Sequence, residues 1–228
     1  MRKKVFMLTI GQSPREDVAP IIDKSLGSEI ELIQSGVLDD FSNEEIHAKF
    51  TLAARASSEY LLTTHLHDGT SVIMDREQLE PMLQTKIEQA EQAGFTTIWL
   101  LCTGEFPNLQ THQSILLEPD KIITPLVKLI IGAKKLGVVV PLKEQLHTIT
   151  PKFEQAGLEP VYVAASPYTD GGSKFRIAGE KLKAEKVDYI LMDCMGYNEK
   201  KRSIIETVTG KPTILSNELM AKVVSEFV

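Results

Sequence analysis

Two stretches of this chain end in the same way. "IWLLCTG" (98–104) and "YILMDCMG" (189–196) are apolar runs that reach a cysteine and break at a glycine two residues later, and they hold the chain's two cysteines, Cys102 and Cys194. An apolar run that stops abruptly at glycine reads as a strand buried on both faces of a parallel sheet. The fold must therefore supply two equivalent strand ends, each presenting a thiol, from opposite halves of the sequence.

The remaining pattern meets that demand by repetition. In the first half, "VFMLTIG" (5–11) and "EIELIQSG" (29–36) read as strands. Ser13, Pro14 and Glu16 between them read as N-cap, first helical residue and capping-box partner of a helix. "YLLTTHLHDGTSVIMD" (60–75) is a hairpin turning at Asp68-Gly69. "EQLEPMLQTKIEQAEQAG" (77–94) has helical spacing and a glycine stop, and it leads into the strand before Cys102. In the second half, strands at 134–141 and 159–166 and helices within 142–157 and 175–186 precede the strand that carries Cys194. A last strand (211–216) and a terminal helix follow.

Alternating βα units predict a mainly parallel sheet flanked by helices in each half, with ligands bound outside the C-terminal strand ends. We expect an α/β fold of two pseudo-symmetric lobes with a cleft between them. The first lobe spans 1–125, with a hairpin insertion about 37–75, and is completed by the C-terminal segment 213–228; the second lobe spans 126–212. Cys102 and Cys194 then face each other across the cleft.

Composition narrows the function. A formal charge of −6 argues against nucleic acid, whose phosphates demand a basic face. Nothing approaches the roughly 18 apolar residues of a membrane span, and the basic start "MRKK" leads into an apolar run too short for a signal peptide, so it reads as the first strand. Two cysteines without secretory signals suggest free thiols in a reducing cytoplasm.

Two thiols across a cleft suit paired acid/base catalysis. Inverting a carbon acid without a cofactor requires a base on one face and an acid on the other, and a thiolate opposite a thiol does both. One thiol must then be drawn toward neutrality by cations or amides. The candidate helpers are Arg15, the start of the helix after Ser13, and the amides after each cysteine, while Asp193 and Glu105 would oppose a thiolate. An anion is expected near Gly11–Arg15. Arg15 and Arg176 are candidate carboxylate clamps, and Tyr197 and Asn198 follow Cys194 closely enough to line the cleft. "TDGGSK" (169–174) reads as a loop near the cleft. His65, His67 and Asp68 read as part of an exposed hairpin strand and its turn, and no metal is expected.

From end to end the chain resembles the AroM family, on "LTIGQSPRED", "LLEPDKIITPLV", "GVVVP", "DCMGY" and "LSNELMAKV". More distantly, its two C-x-G strand ends resemble those of the aspartate/glutamate/hydantoin racemase superfamily, nearest to the hydantoin-racemase style. The resemblance implies two pseudo-symmetric α/β lobes and cofactor-independent, two-cysteine chemistry. Carried over by position, it makes Cys102 and Cys194 the catalytic pair. Thr103 and Gly104, the loop Gly11-Gln12-Ser13 with Arg15, and Gly196 with Tyr197 become substrate-binding positions. It implies a racemase or epimerase acting on a small anionic or amide-containing molecule, and it leaves a homodimer open. A single-thiol decarboxylase or cis–trans isomerase of the same fold, and a binding protein without turnover, are the alternatives. A thiol redox role is disfavoured by the lack of C-x-x-C.

Overall fold

The computed structural model describes residues 2–50 and 59–228. The first half runs β1 (Lys3–Thr9), α1 (Ala19–Leu26), β2 (Ile30–Gly36), α2 (Asn43–Phe50), the hairpin strands β3 (Leu61–His65) and β4 (Ser71–Asp75), α3 (Arg76–Gln92), β5 (Thr97–Leu101), β6 (Ile115–Leu117) and α4 (Pro119–Ile131). The second half runs β7 (Leu136–Val140), a short 3-10 turn (Lys143–Gln145), α5 (Leu146–Gln155), β8 (Val161–Ala164), α6 (Gly172–Ala184), β9 (Tyr189–Met192), α7 (Glu199–Thr209), β10 (Thr213–Leu215) and α8 (Ser216–Glu226).

Two parallel four-stranded sheets result, ordered β2-β1-β5-β6 and β8-β7-β9-β10. The orders correspond strand for strand, so β1 matches β7 and β5 matches β9. This is the two-lobed, pseudo-symmetric α/β architecture expected from the sequence. The strands β5 and β7 are buried throughout, as parallel strands covered on both faces must be. A shared core joins the lobes: Val5, Met7 and Trp99 from the first sheet and Val138, Val140 and Leu191 from the second pack with α1, α4, α5 and α8. Separate clusters cover the outer faces, one beneath α2, the hairpin and α3 and the other beneath α6 and α7.

In each sheet the strand order reverses at the central pair, β1/β5 and β7/β9. Loops leaving the C-terminal ends of such a pair diverge and open a crevice. The four loops that leave these strands carry Ile10 to Arg15, Cys102 to Gly104, Pro141 to Gln145 and Asp193 to Met195.

Three details differ from the sequence reading. First, α1 begins at Ala19, not after Ser13, with Pro20 in its first turn. The carboxylate of Asp39 accepts from the Ser13 amide (2.6 Å), the Ser13 hydroxyl (2.7 Å) and the Gly36 amide (2.7 Å). These bonds hold Ser13 in a loop, so no capping box forms with Glu16. Second, β6 and α4 fall in a stretch that the sequence reading leaves unassigned, although Ile123, Val127 and Ile131 recur at helical spacing on the buried face, and Pro119 opens α4 in the first-turn position that tolerates a missing N–H. Third, the insertion about 37–75 contains a helix, α2, as well as the hairpin, and residues 51–58 of it lie outside the described residues.

Of the C-terminal segment 213–228, the strand joins the second sheet, whereas α8 packs on α1 and α4 of the first half. The start of α8 holds the Cys194 loop. Ser216 donates to the Met192 carbonyl (3.0 Å), and Asn217 Nδ2 donates to the carbonyls of Met195 (2.9 Å) and Tyr197 (2.7 Å). Both side chains are fully buried. Truncating Asn217 leaves two buried carbonyls unpaired, at about 1–3 kcal/mol each. Asn217→Ala should therefore lower the unfolding free energy in urea by about 2–4 kcal/mol, and an unchanged midpoint would show that the loop does not depend on this staple.

Candidate active site

Both cysteines line a single narrow crevice between these loops. Its walls are Ile10 and Arg15 after β1, Leu101–Gly104 after β5, Pro141 and Gln145 after β7, and Asp193–Met195 after β9. Tyr60, Leu62, Thr63 and Thr64 close it from the hairpin side, and Tyr168 from the loop after β8.

Each C-x-G sequence makes the same local turn. The Gly104 amide donates to Cys102 Sγ at 3.3 Å, and the Gly196 amide donates to Cys194 Sγ at 3.4 Å. The second glycine also has a steric reason: a Cβ at Gly196 would lie 2.3 Å from the hydroxyl of Tyr168. Tyr168 stands over Cys194, with its hydroxyl 4.0 Å from the sulfur and 3.3 Å from Arg15 Nη2, and it stacks on His65 of the hairpin at 5.6 Å.

The two loops are tied to each other. Thr103 Oγ1 donates to the Asp193 carbonyl at 3.3 Å. Lys152 of α5 donates to the Thr103 carbonyl (3.2 Å) and to Asp193 Oδ2 (3.0 Å), and it lies 3.5 Å from Asp120 Oδ1. The other buried cation, Arg15, is only 3% exposed. Its Nε and Nη2 bind the two oxygens of Asp17 at 2.8 Å each, and Nη1 reaches Thr9 at 3.3 Å. Its bidentate edge is thus taken by Asp17, so Arg15 lines the cleft as a compensated charge and not as a carboxylate fork.

Burial dominates the thiols. It pushes Cys102 up to about 12, although the Gly104 amide and Lys152 pull the other way. Burial pushes Cys194 up to about 11, opposed by the Gly196 amide, Arg15 and Tyr168. The expectation of a thiol poised near neutrality is therefore reversed, because desolvation outweighs every donor and cation. Asp193 also pushes Cys194 up, in the direction read from its neighbouring position.

The remaining positions divide. Thr103 and Gly104 line the cleft with the cysteines, and Gly196 touches it through its amide and Tyr168. Gly11, Gln12 and Ser13 do not line it: Gln12 accepts the His67 amide, and Ser13 is bound to Asp39. The amides expected to hold an anion near Gly11–Arg15 are spent internally, Ser13 on Asp39 and Arg15 on Gln34 Oε1. Tyr197 is fully buried, donating to the Ala165 carbonyl at 2.7 Å, and Asn198 caps α7. Arg176 is exposed on α6. Among the described residues no three His, Cys, Asp or Glu side chains are grouped as a metal site. The sequence reading missed Lys152, whose helix carries no motif, and Tyr168, which lies one residue before the loop 169–174 placed near the cleft. Thr64 Oγ1 and Asp193 Oδ1, of two cleft-lining residues, are buried without a hydrogen-bond partner in the protein.

The profile of a family described as AroM protein matches residues 5–228. No curated protein sequence matches the chain closely enough to count as a relative. Solved structures share its fold at low identity. An allantoin racemase from Klebsiella pneumoniae is 13% identical with a TM-score of 0.62, covering 99% of this chain and 87% of its own. A glutamate racemase from Bacillus anthracis is 17% identical with a TM-score of 0.62, covering 99% and 81%. Unliganded arylmalonate decarboxylase is 11% identical with a TM-score of 0.56, covering 98% and 92%. Among the described residues no helix is long and apolar enough to cross a membrane.

Thiols raised this far are protonated at neutral pH, and each pH unit below the pKa costs about tenfold in thiolate. On thiolate fraction alone, native Cys194 should react with iodoacetamide near pH 7.5 roughly 10²–10³-fold more slowly than free cysteine, and Cys102 roughly 10³–10⁴-fold more slowly. The rates should still be climbing near pH 10. A rate that levels off below about pH 8 at either cysteine would mean a thiolate already stabilised by the cleft itself.

Proposed function

The chain belongs to the AroM family, and from that premise we propose that it is a cofactor-independent isomerase of the racemase or epimerase type. One observation carries the reading: two C-x-G turns from corresponding strand ends bring Cys102 and Cys194 to the walls of a single cleft. The substrate is a small molecule with a carbon acid next to a carboxylate or cyclic amide, and the cytoplasm, which keeps both cysteines as thiols, is its setting. The unpartnered Asp193 Oδ1 suits a ligand with N–H or O–H groups.

In the reaction, the thiolate on one face takes the proton from carbon, breaking C–H and forming S–H. The planar carbanion then takes a proton from the thiol on the other face, leaving that sulfur as the thiolate. Reverse turnover exchanges the roles. The Arg15 guanidinium favours the thiolate at Cys194, and Lys152 favours it at Cys102. The pH dependence follows from the sign of the shifts. The base is active when deprotonated and its pKa lies above neutrality, so kcat/KM should increase from pH 7 toward 10, reporting the free enzyme.

Incubation of the substrate with the protein in D₂O should exchange the reacting hydrogen. Cys102→Ser and Cys194→Ser should each lose roughly 10²–10⁴-fold in racemisation, while each keeps some exchange with one enantiomer only, because a base reaches only its own face. Loss of everything with one variant and little with the other would replace this reading with single-thiol decarboxylation or isomerisation. Ligand-induced thermal stabilisation without any exchange would make the chain a binding protein.

A further inference from the structure

Lys152 is a largely buried cation. Its side chain is 11% exposed, and its ammonium is held by Asp193, Asp120 and the carbonyl of Thr103. Three separate elements converge on it: the Cys102 loop, the Cys194 loop and the first turn of α4. Burying such a group costs several kcal/mol in desolvation, and a well-packed apolar side chain is often as stable. The arrangement on the other wall is analogous, where Arg15, paired with Asp17, reaches Tyr168 above Cys194. Each wall therefore carries a cation compensated by carboxylate: Lys152 is bonded to the carbonyl next to Cys102 and to Asp193 next to Cys194, and Arg15 reaches Cys194 through Tyr168.

We infer that Lys152 is the positioning residue of Cys102: it clamps the Thr103 carbonyl against the facing loop and stabilises the Cys102 thiolate when that forms, with Asp120 moderating its charge. The inference rests on the reading of Cys102 as one of two bases, but it concerns the ionisation of the thiol and is read without turnover. The charged and titratable groups around Cys102 are Lys152 of α5, Asp120 of α4, Tyr60 before β3, Glu105 of its own loop, and Asp193, Cys194, Arg15 and Tyr168 across the crevice. Of the two cations, Lys152 is the one bonded to the Cys102 loop, whereas Arg15 is paired with Asp17. A network held only for packing would respond to either loss of charge by loosening both loops. An electrostatic role makes the two partners of the pair act in opposite directions.

The test is the rate of iodoacetamide labelling at Cys102 and Cys194, resolved by peptide mass spectrometry between pH 7 and 10. Lys152→Met should slow Cys102 by about tenfold or more at a given pH, since losing the cation makes the thiol harder to ionise. Cys194 should slow less than Cys102, through its neighbour Asp193, which loses its counter-ion, and Lys152→Arg should recover most of the rate at Cys102. Asp120→Asn should act the other way and speed Cys102, since it leaves Lys152 less compensated. Because it keeps the Lys152–Asp193 pair, this variant carries the test even if Lys152→Met fails to fold. The inference is overturned if Asp120→Asn slows Cys102 or leaves it unchanged, or if both cysteines accelerate together in the Lys152 variants. If labelling behaves as expected while neither cysteine affects turnover, the isomerase reading fails and the role of Lys152 stands.

Discussion

The cleft exists because two strand-end loops, far apart in the chain, are clamped face to face. Thr103 donates across to the Asp193 carbonyl, and Lys152 binds the Thr103 carbonyl and the Asp193 carboxylate at once. The clamp sits over the core shared by both sheets, in which Trp99 and Leu191 pack together with α5 and α8. Without it, an apolar core would still hold the lobes together, but it would not fix the separation of the two C-x-G turns. Apolar packing is non-directional, whereas hydrogen bonds to a carbonyl and a carboxylate set distance and angle. A buried ion pair is weak evidence of stability, so its presence here points to positioning.

Desolvation and stabilisation are balanced at each sulfur. Burial keeps both thiols protonated at neutral pH, while an amide and a buried cation at each one limit the rise. The carboxylates Asp17 and Asp193 hold these cations in place and dilute their fields. The result is a pair of thiols in matching settings, each raised by burial and each opposed by an amide and a cation, which suits groups that exchange acid and base roles. Tyr168 completes the wall: it covers Cys194, contacts Arg15 and stacks on His65, so the hairpin inserted into the first half meets the second half directly over the site.

Much of this was legible in the sequence because it depends on local periodicity. The strands before Cys102 and Cys194 are continuous apolar runs ended by glycine, and Asp68-Gly69 sets its hairpin, with Gly69 at a positive φ. What was not legible depends on partners distant in sequence. Ser13 and Glu16 spell a capping box, but Asp39, twenty-six residues on, captures Ser13 instead. Lys152 looks like an ordinary helix lysine until folding places it among Thr103, Asp120 and Asp193. Tyr197 follows Cys194 closely enough to suggest the cleft, yet the turn that directs the Gly196 amide to the sulfur sends the next side chain into the core. The thiol pKa values were misjudged for a related reason: a sequence shows which charges are near a cysteine, but not how deeply it is buried.

The central claim is that Cys102 and Cys194 address one carbon from opposite sides. A crystal structure with malonate or hydantoin bound in the cleft tests it most directly. The account predicts both Sγ atoms at about 3.5 Å from the same ligand carbon, one on each face, the near-attack separation for proton transfer. A ligand carbon approached by one sulfur alone, with the other turned into the wall, would contradict it.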